Sequence, residues 1–74
     1  MAYEEYWERK RRRFLQAAEY LKEAGVDICR EMESIIKGEA AIIKNLVETG
    51  DWKRVRTELE RLIDYVEYLE FCRV

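Results

Sequence analysis

Glycine is the only strong interruption in this chain, which has no proline and only three glycines among its 74 residues. Gly25 and Gly50 each follow a long segment with helical periodicity, where a left-handed residue commonly ends a helix. Asp27 and Asp51 follow within two residues, and aspartate is a favoured helix N-cap. The spacing therefore predicts three helices of similar length, over residues 2–24, 27–49 and 51–73.

Apolar residues recur at helical spacing in all three segments. They repeat at i, i+3, i+4 and i+7, which indicates one apolar face on each helix, and no stretch alternates as a strand would. Links of two or three residues force neighbouring helices to run antiparallel. We therefore predict a single all-α domain over residues 1–74, an up-down-up antiparallel three-helix bundle. The alternative is a helical hairpin or open bundle that dimerisation completes.

One short stretch carries a family resemblance. ETGDWKRV, from Glu48 to Val55, resembles the turn between helices in tetratricopeptide-type hairpins, where Gly-Asp-aromatic is common. The resemblance covers eight residues, and the rest of that repeat's pattern is absent. It implies a helix–turn–helix junction and nothing about partners.

Two charged residues interrupt the apolar faces. Lys10 lies between Trp7 and Phe14 on the first helix, and Glu39 lies within the apolar row of the second. In an antiparallel hairpin that turns near residue 25, the numbers of facing residues add to about 50. Lys10 and Glu39 meet this condition, so we expect a partly buried ion pair between them. The alternatives are a Glu39 with a perturbed pKa that serves a binding site, and a kink at Gly38 that rotates Glu39 into water.

The two cysteines, Cys29 and Cys72, satisfy the same arithmetic for the second and third helices and fall at one end of the bundle. A disulfide between them would close a loop of about 43 residues. High charge and scarce side-chain amides are typical of hyperthermophile proteins, whose intracellular members retain disulfides. The sequence leaves two possibilities open, a disulfide or two free thiols.

Five consecutive basic residues, Arg9 to Arg13, sweep more than one helical turn and cannot share one face. Upstream glutamates at helical spacing balance part of the run. In an up-down-up bundle the first and third helices are parallel, which puts Trp7 near the level of residue 58. We therefore expect one joint patch that contacts anions or nucleic acid, consisting of Arg9, Arg12, Arg13, Lys53, Arg54 and Arg56.

The third helix is apolar almost all round in its last two turns. Tyr65 and Tyr68 lie on the side away from its main apolar row, and Phe71 lies on a third side. Either the first helix covers this surface or another protein does. Because aromatic side chains favour interfaces, we predict a partner surface at Tyr65, Tyr68 and Phe71.

Several kinds of chemistry lack their usual residues. The chain has no histidine, two separated cysteines and one serine, which disfavours a catalytic triad and a four-ligand zinc site. We predict no enzymatic activity, metal or cofactor. No run is long and apolar enough for a membrane span or a signal-peptide core, so we expect a cytoplasmic protein that binds no membrane.

The predicted function follows from these features. We expect a small non-enzymatic helical interaction module that binds a protein partner or a second copy of itself. The alternative is a nucleic-acid-binding accessory protein that contacts the phosphate backbone through the joint basic patch.

Overall fold

The chain folds into three α-helices in the computed structural model, which describes residues 2–73. Helix α1 spans Ala2–Glu23, α2 spans Ile28–Thr49 and α3 spans Trp52–Cys72. Within this described range no strand occurs. The predicted fold class, an all-α three-helix bundle, is confirmed.

The links between helices form as the glycines and aspartates predict. Gly25 and Gly50 both have positive φ, 90° and 76°. The Asp27 and Asp51 carboxylates accept hydrogen bonds from backbone N–H groups three residues ahead, each at 3.3 Å. Because both aspartates are caps, α2 and α3 begin one residue later than predicted. The helix–turn–helix junction expected from Glu48–Val55 is present.

Helices α2 and α3 form an antiparallel hairpin with the best-buried side chains at its seam. Met32, Leu46 and Val55 are among the buried residues there. Cys29 and Cys72 are joined by a disulfide across the open end, with a Cα–Cα distance of 5.6 Å and a sequence separation of 43 residues. The structure thus selects the disulfide over two free thiols. In the chain-entropy model a loop of this length stabilises the fold by about 4 kcal/mol.

Helix α1 crosses the disulfide end of this hairpin instead of lying along it. Trp7 contacts Phe71 with ring centroids 4.8 Å apart, and Phe14 stacks on Tyr68 at 4.7 Å. The prediction that Trp7 lies alongside residue 58 of α3 is therefore wrong. The crossing follows from the positions of the aromatic residues. Trp7 and Phe14 of α1 pack against Phe71 and Tyr68, which lie near the C-terminal end of α3. The resulting molecule is flat, measuring 38 × 36 × 17 Å.

The core of this flat bundle is small. The buried hydrophobic residues are Phe14, Met32, Leu46, Val55 and Phe71. The accessible surface is 6071 Å², whereas scaling for compact monomers gives about 4,900 Å² at this mass. Several large apolar residues that the helical pattern assigned to core faces are exposed, because no further helix of the described range packs on them. They are Tyr3, Ile42, Trp52, Leu59, Ile63 and Val66.

Candidate interaction surfaces

Lys10 is bound by two carboxylates of α3. Its Nζ donates to Asp64 Oδ1 at 2.6 Å and to Glu67 Oε1 at 2.7 Å. The predicted pair with Glu39 is wrong, because α1 and α2 diverge away from their short link and Lys10 crosses onto α3. Its ammonium also lies 5.6 Å from the ring centroid of Tyr68, within cation–π distance.

The two carboxylates determine the charge state of Lys10. Burial disfavours the ammonium, but hydrogen bonds and Coulomb attraction from Asp64 and Glu67 outweigh it and raise the pKa of Lys10 above its ordinary value. The lysine therefore keeps its charge and serves as a fixed clamp between α1 and α3.

Glu39 faces another carboxylate. It is 6% exposed, and its Oε1 has no hydrogen-bond partner among the described residues. A hydrogen bond with the neighbouring Glu58 carboxyl, burial, and repulsion from Glu58 raise the pKa of Glu39, against a lowering influence of Arg61. Helix α2 runs unbroken through Gly38, so the predicted kink does not occur. The arrangement favours the neutral, protonated form of Glu39.

The predicted joint basic patch does not form. Its α1 members lie on the helix that crosses α3 between residues 64 and 71, whereas Lys53, Arg54 and Arg56 lie in the first turns of α3. The distance from Arg54 to residue 67 along the axis of α3 is about 20 Å, at about 1.5 Å per residue. The expectation failed because it assumed that α1 and α3 run parallel. The structure therefore presents two separate groups of cations.

The predicted aromatic partner surface is largely occupied by α1. Phe71 is 3% exposed, and it lies against Trp7 and Phe14. Tyr68 stacks on Phe14 with an angle of 9° between the rings. The prediction of a free surface at Phe71 is wrong, while Tyr65 and Tyr68 remain partly exposed beside a groove.

This groove lies between α1 and the hairpin, and has a volume of about 750 Å³. It forms because α1 and α2 meet near their link but diverge toward the aromatic contacts with α3. Its apolar floor consists of Phe14, Ala17, Leu21, Ile28, Met32 and Ile35, with Arg9 and Arg13 on the α1 side.

A second apolar surface lies on the opposite side of the hairpin. We call it the outer face, and it consists of Val47, Trp52, Leu59, Ile63 and Val66. These side chains are between 42% and 64% exposed. At about 100° per residue, the α3 members point away from the positions that meet α1. The sequence pattern contained this face, but periodicity alone could not show that it lacks a covering helix.

Sequence reasoning also missed two acidic contacts. Asp64 and Glu67 share a face of α3 with Phe71, so an acidic pair next to the aromatic end could have been matched to Lys10. Glu58 could have been found from the hairpin arithmetic, because it lies one helical turn from the position expected opposite Glu39.

Comparison of the chain with protein-family models, with curated proteins and with solved structures finds no match. Within residues 2–73, no group of three or more histidine, cysteine or acidic side chains could hold a metal ion. None of the described helices is long and apolar enough to cross a membrane.

Proposed function

We propose that this chain is a small, non-enzymatic protein-interaction module that works as a homodimer, with the outer face buried between two copies. The observation that carries the proposal is the row of exposed apolar side chains across α2 and α3. Trp52 and Ile63 are 64% and 59% exposed, and burying such side chains is the main source of association energy.

The accessible surface supports an interface of ordinary size. The chain exposes roughly 1,200 Å² more than a compact monomer of its mass would. A standard protein–protein interface buries about 800 Å² on each partner. Covering the outer face with a second copy would remove most of this excess.

The charges along α3 favour an antiparallel pairing of two identical copies. Arg56 lies beside the apolar row toward its N-terminal end, and Glu70 lies beside it at the C-terminal end. A two-fold axis near residue 61 would place Leu59 against Ile63 of the other copy. The same axis would bring Arg56 toward Glu70, as expected for a self-complementary interface.

Sedimentation equilibrium between about 10 µM and about 1 mM tests the dimer, because a dimer with a micromolar dissociation constant is mostly assembled over this range. The expected result is a mass of twice 9.0 kDa. A constant mass of 9.0 kDa over the whole range would refute the proposal.

Zero-length carbodiimide cross-linking tests the orientation. In an Arg56→Lys variant we expect an intermolecular link from the introduced lysine to Glu70, identified by mass spectrometry after mixing isotopically light and heavy chains. A link from that lysine to an acidic residue at the same end of the partner would contradict the antiparallel arrangement.

A further inference from the structure

We propose that the groove between α1 and the hairpin binds an acidic amphipathic helix of a partner protein. This site lies on the opposite side of the hairpin from the outer face, so it does not depend on self-association. Its occupant follows from the shape of the groove, its floor and its charge.

The groove has the length of a short helix. It extends along α1 from Tyr6 to Leu21, about 22 Å at about 1.5 Å per residue, which corresponds to about four helical turns. Both helices contribute apolar side chains to its floor, Phe14 and Leu21 from α1 and Ile35 from α2. Such a floor suits anchors spaced at i, i+3, i+4 and i+7.

Small side chains allow a close approach to this floor. Ala17 and Ala18 line the middle of the groove, and Ala17 is exposed. The volume of about 750 Å³ over this length makes the groove shallow and open along one side. A small-molecule site instead encloses most of its ligand's surface.

The charge of the groove is opposite to that of the chain. Three cations line it with a single carboxylate, and Asp64 and Lys10 bind each other, whereas the whole chain has a net charge of −2. Arg9 and Arg13 form no salt bridge among the described residues. Two arginines beside an apolar floor complement a helix with an apolar face and acidic flanks.

Nucleic acid fits the groove less well than such a helix. The cations line only the α1 wall, and the α2 wall consists of Ile28, Met32 and Ile35. A phosphate backbone would gain contacts on one side only and would leave the apolar side chains of the α2 wall without a partner.

Fluorescence anisotropy with three labelled peptides of about 18 residues tests the proposal. One peptide has a leucine-rich face with glutamate flanks, the second has the same face with lysine flanks, and the third is a scramble of the first. We expect the glutamate peptide to bind at least about tenfold more tightly than either control and to weaken as salt is raised. Equal binding of all three peptides, or binding of none at millimolar protein, would overturn the proposal.

Matched variants locate the binding site on the chain. Arg13→Glu should weaken binding of the glutamate peptide about tenfold and strengthen binding of the lysine peptide. Arg12→Glu is the control, because Arg12 is exposed one residue away and does not line the groove. An equal loss in both variants, or no rescue by the lysine peptide, would contradict the site.

Two further measurements distinguish peptide binding in the groove from binding at the outer face and from binding of nucleic acid. Ile63→Asp, which disrupts the outer face, should leave peptide affinity unchanged, so failure of the dimer and failure of the groove remain distinguishable. A single-stranded RNA oligomer with the same net charge as the glutamate peptide should not compete with that peptide for the groove at about 150 mM salt. Competition that depends on Arg13 would reassign the groove to nucleic acid.

Discussion

The two faces of the α2–α3 hairpin both carry apolar side chains but are covered differently. On one face α1 supplies Trp7 and Phe14, which pack on Tyr68 and Phe71, and Lys10 is clamped by carboxylates. On the outer face aliphatic side chains and Trp52 point into solvent. The first face is covered by α1 at its disulfide end, whereas none of the described helices covers the second.

This difference shows what a third helix can do in a chain of this length. A single helix can cover only one face of a two-helix layer, and here α1 covers only the disulfide end of that face. The remaining apolar surface has to be covered from outside or left in water. Aromatic and charged contacts fix α1, while the outer face is exposed apolar surface, which we propose pairs with a second copy.

Breaking the disulfide should have the largest effect on this contrast. Cys29→Ser together with Cys72→Ser should lower the free energy of unfolding by about 4 kcal/mol in the chain-entropy model. Because the bond holds the end of the hairpin on which α1 packs, hydrogen exchange should increase most in α1. Chemical denaturation and exchange at one fixed protein concentration check this. Uniform exchange in all three helices would contradict the role of the bond in supporting α1.

Truncating the aromatic contact should have the next largest effect. Phe71→Ala should cost about 3 kcal/mol, since Phe71 is 3% exposed against two rings of α1. Leu59→Ala, on the outer face, is the comparison, because Leu59 is 43% exposed. At a concentration low enough to keep the chain monomeric, the Leu59 variant should lose far less. Equal losses measured by denaturant titration would remove the distinction between a closed and an open face.

Removing the clamp between α1 and α3 should have an intermediate effect. Lys10→Ala leaves Asp64 and Glu67 side by side without their cation, and should cost about 2 kcal/mol, the range of hydrogen bonds to charged groups. Arg12→Ala is the control, since Arg12 is exposed and makes no salt bridge among the described residues. Thermal unfolding of the two variants measures the difference. A loss in the Arg12 variant as large as that in Lys10→Ala would argue against the clamp.

Glu39→Gln should produce the smallest change and one that depends on pH. The pKa of Glu39 is raised in the fold from its ordinary value of 4.5, so its favourable contribution is present below that pH and is lost as the pH rises through the folded value. The glutamine variant cannot ionise, so its stability relative to the parent should increase from pH 4 toward pH 7.

The measurement is the melting temperature of parent and variant at matched pH values. Glu58 and Arg61 face Glu39, and exposed Glu60 on α3 provides the control substitution, Glu60→Gln. A constant difference between Glu39→Gln and the parent over this pH range would contradict the raised pKa.

Local signals predicted the fold well, and long-range placement of α1 was predicted poorly. Gly25, Gly50 and their following aspartates defined the three helices, and the register near the second turn located Cys29 opposite Cys72. The same arithmetic failed for Lys10 because it assumed that α1 packs antiparallel against α2 along its whole length. The short link fixes only the first turns of the α1–α2 pair, and the aromatic rings farther along α1 determine how it crosses α3.

The outer face was present in the pattern of α3, yet it could not be separated from the core by sequence alone. Leu59 and Ile63 follow the same periodicity as Val55, which is buried. Val55 packs at the seam with α2, whereas covering Leu59 and Ile63 would need a helix on the side of the hairpin away from α1. The joint basic patch failed because its assembly required the parallel arrangement of α1 and α3.

We propose that the outer face, and not the α1 side, is the surface that joins two copies. The most direct test compares Ile63→Asp with Ile42→Asp by sedimentation equilibrium. Both isoleucines are exposed, at 59% and 46%, but Ile42 shares the side of α2 that carries Ile35 and the groove. We expect the parent chain and Ile42→Asp to sediment at twice 9.0 kDa.

Ile63→Asp should weaken dimerisation by about a hundredfold or more, because two-fold symmetry places the substitution in the interface twice. It should then sediment at 9.0 kDa at concentrations where the parent is dimeric. Equal dissociation of both variants, or an unchanged dimer in Ile63→Asp, would contradict the assignment of the outer face.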